Sequence, residues 1–252
     1  PPNPKRRRSF VEIVDLKLLV VGASGAIGGE LAAAAAARGA RVAVAGRDPR
    51  RLAHAARRAR AGPGLVFDAY DLEGGRALGP RAAEQLGGLD AVLVAIGAVA
   101  FGHCSQLGPE MEEHLMTVNA LAPMAVLEGA LPLIGPGGSV GAITGVIVDR
   151  PLGGAAAYRA SKAALSAWLG TARVEYAHHG VSVLDARLPH LDTGFADRAL
   201  AGSAPPLPPG ADLDSWVGAV LDALVQGAAV LAPSGRRGEP AASPSTTAGR
   251  VR

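Results

Sequence analysis

The sequence contains a single cysteine, Cys104, in 252 residues. One thiol excludes an internal disulfide framework and predicts a reducing compartment, the cytoplasm. No apolar run reaches the ~20 residues of a membrane span. The longest, 91–101, is broken by Gly97, and no membrane association is expected. The N-terminus has basic residues but no apolar stretch suited to a secretory signal. The six histidines lack metal-ligand spacing, so no metal is expected; His178 and His179 are neighbours just before Gly180, at a predicted helix end. A basic face is missing as well. The net charge of +3 divides into +4 in residues 1–10, +3 in 236–252 and −4 in 11–235. Nucleic-acid binding would need basic charge on the folded body, so it is not expected.

Both ends are rich in Arg, Pro or Ser/Thr and read as disordered, leaving one domain over 11–235. Within it, short apolar runs alternate with Ala-rich helical stretches. Strands are predicted at 16–21, 41–45, 65–68, 91–96, 139–144, 181–187 and 228–232. Helices are predicted at 30–38, 49–61, 109–133, 155–178 and 213–225, with a kink or break at Pro123. Such alternation implies right-handed βαβ crossovers. The fold class is α/β, a Rossmann-type, doubly wound parallel sheet between two helical layers. The stretch "GSAPPLPPGADLD", 202–214, interrupts it. It is short for a lid and predicts an open substrate cleft.

The first strand runs into "VVGASGAIGGEL", 20–31. Gly22 allows a tight turn there. Gly25 and Gly28 let the backbone and the following helix approach a pyrophosphate, to which the helix N-terminus offers unpaired N–H groups. The second strand lacks the acid that would bind a ribose 2′-hydroxyl. It has Gly46 and then Arg47, with Arg50 and Arg51 nearby. Guanidinium groups suit a 2′-phosphate, so NADP(H) is expected in preference to NAD(H).

Further along, "YRASK" places Tyr158 and Lys162 one helical turn apart among small residues. With this motif, the glycine turn and "MTVNALAP" (116–123), the sequence resembles the short-chain dehydrogenase/reductase family over residues 16–232. The turn reads "VGASGAIG", with Val21 and Ala26 in place of the family's Thr and Gly. The resemblance implies cofactor contacts from Gly22, Ser24, Gly25, Ala26, Ile27, Gly28 and Arg47. It also implies them from Asp71 and Leu72 as the adenine step, from Ala95 and Gly97 after the fourth strand, and from Pro189 and Thr193. The resemblance makes Tyr158 the proton donor, Lys162 the group that favours its phenolate and binds the ribose, and Asn119 the holder of a relay water. It implies a homodimer or homotetramer formed through 109–133 and 155–178.

One hydroxyl is missing. The family's substrate-binding Ser aligns with Gly145, preceded by Thr144. Thr144 could shift into the role, although successive strand residues point to opposite faces. His190, Asp149, a water or a hydroxyl of the substrate could stand in, or no hydride is transferred at all. A serine restored at 145 is expected to be tolerated. Val146, Val148, His190, Phe195, Phe101 and His103 are expected to border the substrate, along with Gly145. The leading expectation is an NADPH-dependent ketoreductase acting on a bulky, aromatic or polyketide-like ketone. A non-redox cyclase or dehydratase on the same scaffold, and an NADP(H)-sensing binding protein, are the alternatives. The Ala, Gly, Pro and Arg content resembles that of proteins from GC-rich bacteria, in which antibiotic biosynthesis would suit.

Overall fold

A computed structural model describes residues 13–235 and 238–244. The expected basic arm at 1–10 lies outside the described residues. Eight strands form one sheet: β1 (Lys17–Val21), β2 (Arg41–Gly46), β3 (Leu65–Val66), β4 (Ala91–Val94), β5 (Ser139–Ile143), β6 (Ser182–Ala186), β7 (Ala228–Ser234) and β8 (Glu239–Pro244). Their spatial order is β3-β2-β1-β4-β5-β6-β7-β8. The first seven run parallel, and β8 pairs antiparallel with β7. The order reverses between β1 and β4. Ligands in such sheets bind at that switch point, beyond the carboxyl ends of the strands.

The helices are α1 (Ala26–Ala37), α2 (Pro49–Arg58), α3 (Leu72–Arg76), α4 (Leu78–Leu86), α5 (Pro109–Met116), α6 (Ala122–Ala130), α7 (Ala156–Tyr176) and α8 (Leu213–Val225). One core lies between the sheet and α1, α2 and α8, and includes Leu31, Leu52 and Trp216. The other lies beneath α4, α6 and α7, and includes Leu78, Val126 and Leu165. Both faces of β1 and β4 are therefore covered, which is why their sequences are unbroken apolar runs without alternation.

Three expectations change. First, α1 begins at Ala26, four residues earlier than predicted. Gly28 and Gly29 weaken the helical signal there. Gly28 is nevertheless required, because a Cβ on it would lie 2.3 Å from the carbonyl oxygen of Gly22. Second, the helical run 109–133 contains a π turn, Thr117–Leu121, between α5 and α6. Pro123 has no N–H to donate, and the wider turn just before it absorbs the lost bond. Pro109–Leu133 is long and apolar enough to cross a bilayer by composition, yet it packs against α3, α4, α7 and β4 as a core element. Third, the stretch read as a tail from 236 onward includes β8. Pro240 and Pro244 hid this strand; an edge position tolerates them.

Candidate active site

The glycine turn closes tightly on itself. Gly22 has φ +94°, and the Gly25 N–H donates to its carbonyl at 2.9 Å. Gly25 then caps α1 in an extended conformation, with no side chain bonded to the helix end. The first N–H groups of α1 have no side-chain cap, and a helix N-terminus left in this way suits the phosphates of a dinucleotide. The turn rests on the end of β4, where a Cβ on Gly22 would be 2.7 Å from the Ala95 backbone.

Beside it is a cleft of about 360 Å³ lined by Ser24, Gly25, Ala26, Arg50, Arg51, His54 and Arg58. Arg47 is exposed just after β2 and is not among the residues lining this cleft. Arg58 is taken by a bidentate pair with Glu30 at 2.7 Å. Asp48, the one acid after β2, caps α2 by accepting from the N–H groups of Arg50 and Arg51. These bonds, the one from Arg51 foremost, hold its carboxyl below the usual range. At Gly46, a Cβ would meet the Ser24 hydroxyl at 2.7 Å. An acid at this position, as a ribose 2′-hydroxyl would favour, is thus replaced by a serine hydroxyl with arginines around it.

Asp71 and Leu72 prove to be the cap and first residue of α3. The Asp71 carboxylate accepts from the Gly74 N–H at 2.8 Å. Asp68, missed in the sequence reading, stands closer to the carboxyl end of β3 and accepts from the Tyr70 N–H at 3.0 Å. Its signal was position: it is the first acid after the apolar run 65–67.

Asn119 projects from the π turn and is fully buried. Its Oδ1 accepts from the Ala98 N–H at 2.8 Å, and its Nδ2 donates to the Ala98 carbonyl and the Ser161 hydroxyl, each at 2.9 Å. It thereby ties the chain after β4 to α7. Lys162 reaches the same point from α7. Its ammonium donates to the Ile143 carbonyl at 3.0 Å and to the Ile96 carbonyl at 3.5 Å. Gly97 leaves room for both groups: its Cβ would be 3.2 Å from the Lys162 Nζ and 3.3 Å from the Asn119 Oδ1. Burial lowers the Lys162 pKa to about 8, while the charge of Asp185 pulls it upward.

Tyr158 sits one turn before Lys162 and is half-buried. Burial raises its phenol pKa well above the ordinary value. The direction is opposite to the lowering expected from the cation four residues away, and its cause is desolvation. The ring is tilted against Phe195, with centroids 6.3 Å apart. Its hydroxyl forms no hydrogen bond among the described residues. Around the ring, Phe195, Ala196, Ala199 and Ala204 pack with Val99, Phe101, Ile147 and Ala155. The Leu200 N–H donates to the Val99 carbonyl, and the Phe101 N–H to the Ala201 carbonyl, each at 2.8 Å. The cleft expected to be open is therefore walled on this side. His103 is exposed and bonded to Ser105 instead.

Thr144 is engaged away from the role expected of a serine at 145. Its hydroxyl donates to buried Asp185 at 2.5 Å, so its one proton is committed. Asp149 is likewise engaged, by Arg187 at 2.7 Å. Val146 and Val148 are half-buried in a short 3-10 turn after Gly145. Pro189, His190 and Thr193 follow β6; His190 is half-buried, and its carbonyl accepts from the Ala211 N–H. Gly145 itself has φ +100° and ψ 156°, a region that essentially only glycine occupies. Space is not the obstacle, since a Cβ would meet nothing nearer than the Leu188 carbonyl at 3.7 Å. The expected tolerance of serine at 145 must therefore be revised. Gly145→Ser is predicted to cost roughly 1–3 kcal/mol of stability. Urea denaturation of the variant checks this; an unchanged midpoint would show that the corner relaxes without strain.

The switch-point crevice thus gathers a nucleotide-binding turn and half-buried Tyr158 beside buried Lys162 and Asn119 at the carboxyl ends of the strands, an arrangement of the kind found on dinucleotide-binding oxidoreductase scaffolds. The short chain dehydrogenase family profile matches residues 17–202, and the chain belongs to that family. A curated relative, 1-hydroxy-2-glutathionyl-2-methyl-3-butene dehydrogenase of Rhodococcus sp. (strain AD45), is 31% identical over 125 residues. The match spans 48% of this chain and 54% of the relative, about half of each. Among solved structures, a dehydrogenase/reductase from Sinorhizobium meliloti 1021 superposes with TM-score 0.75 at 22% identity, over 86% of this chain and 90% of that one. A short chain dehydrogenase from Burkholderia cenocepacia J2315, in complex with NADP, gives TM-score 0.74 at 24% identity, over 85% and 92%. An alcohol dehydrogenase from Thermococcus sibiricus, complexed with 5-hydroxy-NADP, gives 0.73 at 24%, over 82% and 88%.

Proposed function

We propose that the protein is an NADPH-dependent ketoreductase acting on a bulky ketone of aromatic or polyketide-like kind. One observation carries the reading: Tyr158 presents a protonated, unpartnered hydroxyl beside a buried Lys162 whose ammonium is fixed by two carbonyls. When bound, the cofactor supplies the hydride. Tyr158 supplies the proton to the carbonyl oxygen, and its raised pKa keeps that proton in place at neutral pH. Lys162 opposes the negative charge left on the phenol. Asn119 holds the loop after β4 against α7. Arg47, Ser24 and Arg51 favour the 2′-phosphate, in line with the NADP carried by the Burkholderia neighbour. Asp68 takes the place of Asp71 at the adenine end. The apolar wall of Val99, Phe101, Ile147 and Phe195 suits a large hydrophobic substrate. The composition associated with GC-rich bacteria suits a role in secondary metabolism.

A homodimer or homotetramer is part of this proposal. The outward face of α7 carries exposed Ala156, Ala160, Ala167, Thr171 and Val174, small enough for close helix approach.

The committed hydroxyl of Thr144 and the bare Gly145 favour a second reading, a non-redox cyclase or dehydratase. His190, a hydroxyl of the substrate and a water remain as carbonyl-polarising groups in the first. NADPH and NADH, each deuterated at the transferable position, separate the two readings across a panel of bulky ketones. Deuterium on product carbon, delivered more efficiently from NADPH, is the expected result. Demonstrable NADPH binding with products of unchanged hydrogen count would overturn the reductase reading.

A further inference from the structure

Lys162 and Asp185 are the two ionisable side chains buried in the core of the described residues, at 4% and 1% exposure. They carry opposite charge. Lys162 belongs to the site already described; Asp185, next to last in β6, has no part in it so far. Its position in the sheet is costly unless the carboxylate is well bonded, and it is. Its Oδ1 accepts from Thr144 at 2.5 Å, and its Oδ2 from Ser166 at 2.7 Å and from the Arg187 Nε at 2.8 Å. Arg187 also donates to the Ser166 hydroxyl at 3.1 Å and to the exposed carboxylate of Asp149.

The partners of Asp185 belong to three different parts of the site. Thr144 directly follows β5 and immediately precedes Gly145. Ser166 lies on α7, four residues after Lys162 and eight after Tyr158, on the same helical face. Arg187 links the cluster to the solvent side. Removing the carboxylate would free the corner at Gly145 from the face of the helix that carries the reactive side chains.

We propose that Asp185 is a positioning residue of the active site, seating the Thr144–Gly145 corner against the Tyr158–Lys162 face of α7 and standing as the buried counter-charge to Lys162. The proposal rests on the reading of Lys162 as a site residue. Other charged and titratable groups around the pair are Tyr158, Arg159 and Arg173 on α7, Arg187 beyond β6 and Asp149 after β5. Arg159 donates to the Ile147 and Val148 carbonyls. Arg173 donates to the Val183 and Ala229 carbonyls. From α5, Glu110, Glu112 and Glu113 are exposed, and His114 is held by Tyr70. The π turn and β4 contribute no charge. Asp185 thus provides the buried negative charge near Lys162, and its field opposes the desolvation that lowers the ammonium pKa.

The test does not depend on turnover. The chain has three lysines, Lys5, Lys17 and Lys162, so [13C]lysine labelling gives a spectrum of three side chains in which Lys162 is readily assigned. Its titration midpoint would be followed by NMR in the full chain, in Asp185→Asn and in Ser166→Ala. In Asp185→Asn the shape is kept and the charge lost. The midpoint is expected near 8 in the parent, and lower by roughly half a pH unit or more in Asp185→Asn. Ser166→Ala loses a hydrogen bond but keeps the charge, and is expected to hold the parent midpoint. An unmoved or raised midpoint in Asp185→Asn, or an equal fall in Ser166→Ala, overturns the proposal. Should Asp185→Asn fail to fold, Arg187→Gln replaces it. Asp185 then loses its neutralising guanidinium and the Lys162 midpoint must rise; no rise overturns the proposal. In the kinetic arm, the alkaline limb of ketone reduction is expected to follow the midpoint. A midpoint that moves in an enzyme with no reductase turnover supports the positioning role and instead counts against the ketoreductase reading.

Discussion

Tyr158→Phe is expected to lower kcat for ketone reduction by roughly 10²–10⁴-fold, the range a positioned general acid contributes. NADPH affinity should be nearly unchanged. The substitution removes a hydroxyl that bonds no described residue, so no buried partner is left unsatisfied. The ring keeps its tilted contact with Phe195 and its place in the apolar cluster, so stability should not fall. Single-turnover reduction monitored at the nicotinamide absorbance, alongside fluorescence titration of NADPH, separates the two effects. A variant that retains most of its turnover would show that the proton comes from elsewhere. His190 would then be the first candidate, since Thr144 and Asp149 are engaged by Asp185 and Arg187.

The larger part of the architecture could be read from the chain because parallel strands covered on both faces leave unbroken apolar runs. The segments at 16–21 and 91–96 are such runs, and each βα turn after them carries site residues. Tyr158 and Lys162 were legible because helical spacing alone puts them on one face. What the sequence hid has physical causes. The π turn at 117–121 depends on a missing donor at Pro123, whose consequence appears several residues upstream, where composition says nothing. Gly28 weakens the helical signal of α1, yet it is the residue that lets the helix start early by touching Gly22. The glycine at 145 reads as a lost hydroxyl; the structure shows a backbone corner at φ +100° that a serine would strain. In the sequence, Asp185 is one polar residue within the strand 181–187. Its role emerges only when β5, β6 and α7 meet in space.

That corner bears on the choice between reductase and non-redox chemistry. A family serine lost by simple substitution would leave a site that regains its donor on reversal. Here Gly145 sits at φ +100°, where a serine would be strained, and Thr144 is anchored to Asp185 just before it. On the proposed ketoreductase reading, the substrate oxygen would be polarised by a group outside this corner. Half-buried His190, a hydroxyl carried by the substrate and a bound water are the remaining sources. A preference for ketones bearing a neighbouring hydroxyl would distinguish the second from the first.

Lys162→Met is expected to lose activity by roughly 10²-fold or more while gaining stability at neutral pH. The sign follows from the depressed pKa. Unfolded, the ammonium titrates at its ordinary 10.5; folded, at about 8. Below 8 both states are charged, and the folded protein bears the full cost of the buried cation. As pH rises from 8 towards 10.5, the folded state releases its proton first. The cost shrinks, and the parent is stabilised with increasing pH. A 2.5-unit difference corresponds to about 3 kcal/mol at most. Loss of the ammonium's bonds to the Ile143 and Ile96 carbonyls offsets part of it, leaving a gain of roughly 1–2 kcal/mol at pH 7. Methionine fills the same unbranched volume. Denaturation of parent and variant from pH 6.5 to 9.5 should show the difference narrowing as pH climbs, because only the parent can shed its buried proton. A constant difference across that range would mean that Lys162 keeps an ordinary pKa in the folded chain, and that its burial is not the source of a functional strain. A narrowing gap together with lost turnover identifies the ammonium as a charge held in place against the stability of the fold, as expected of a group retained for chemistry.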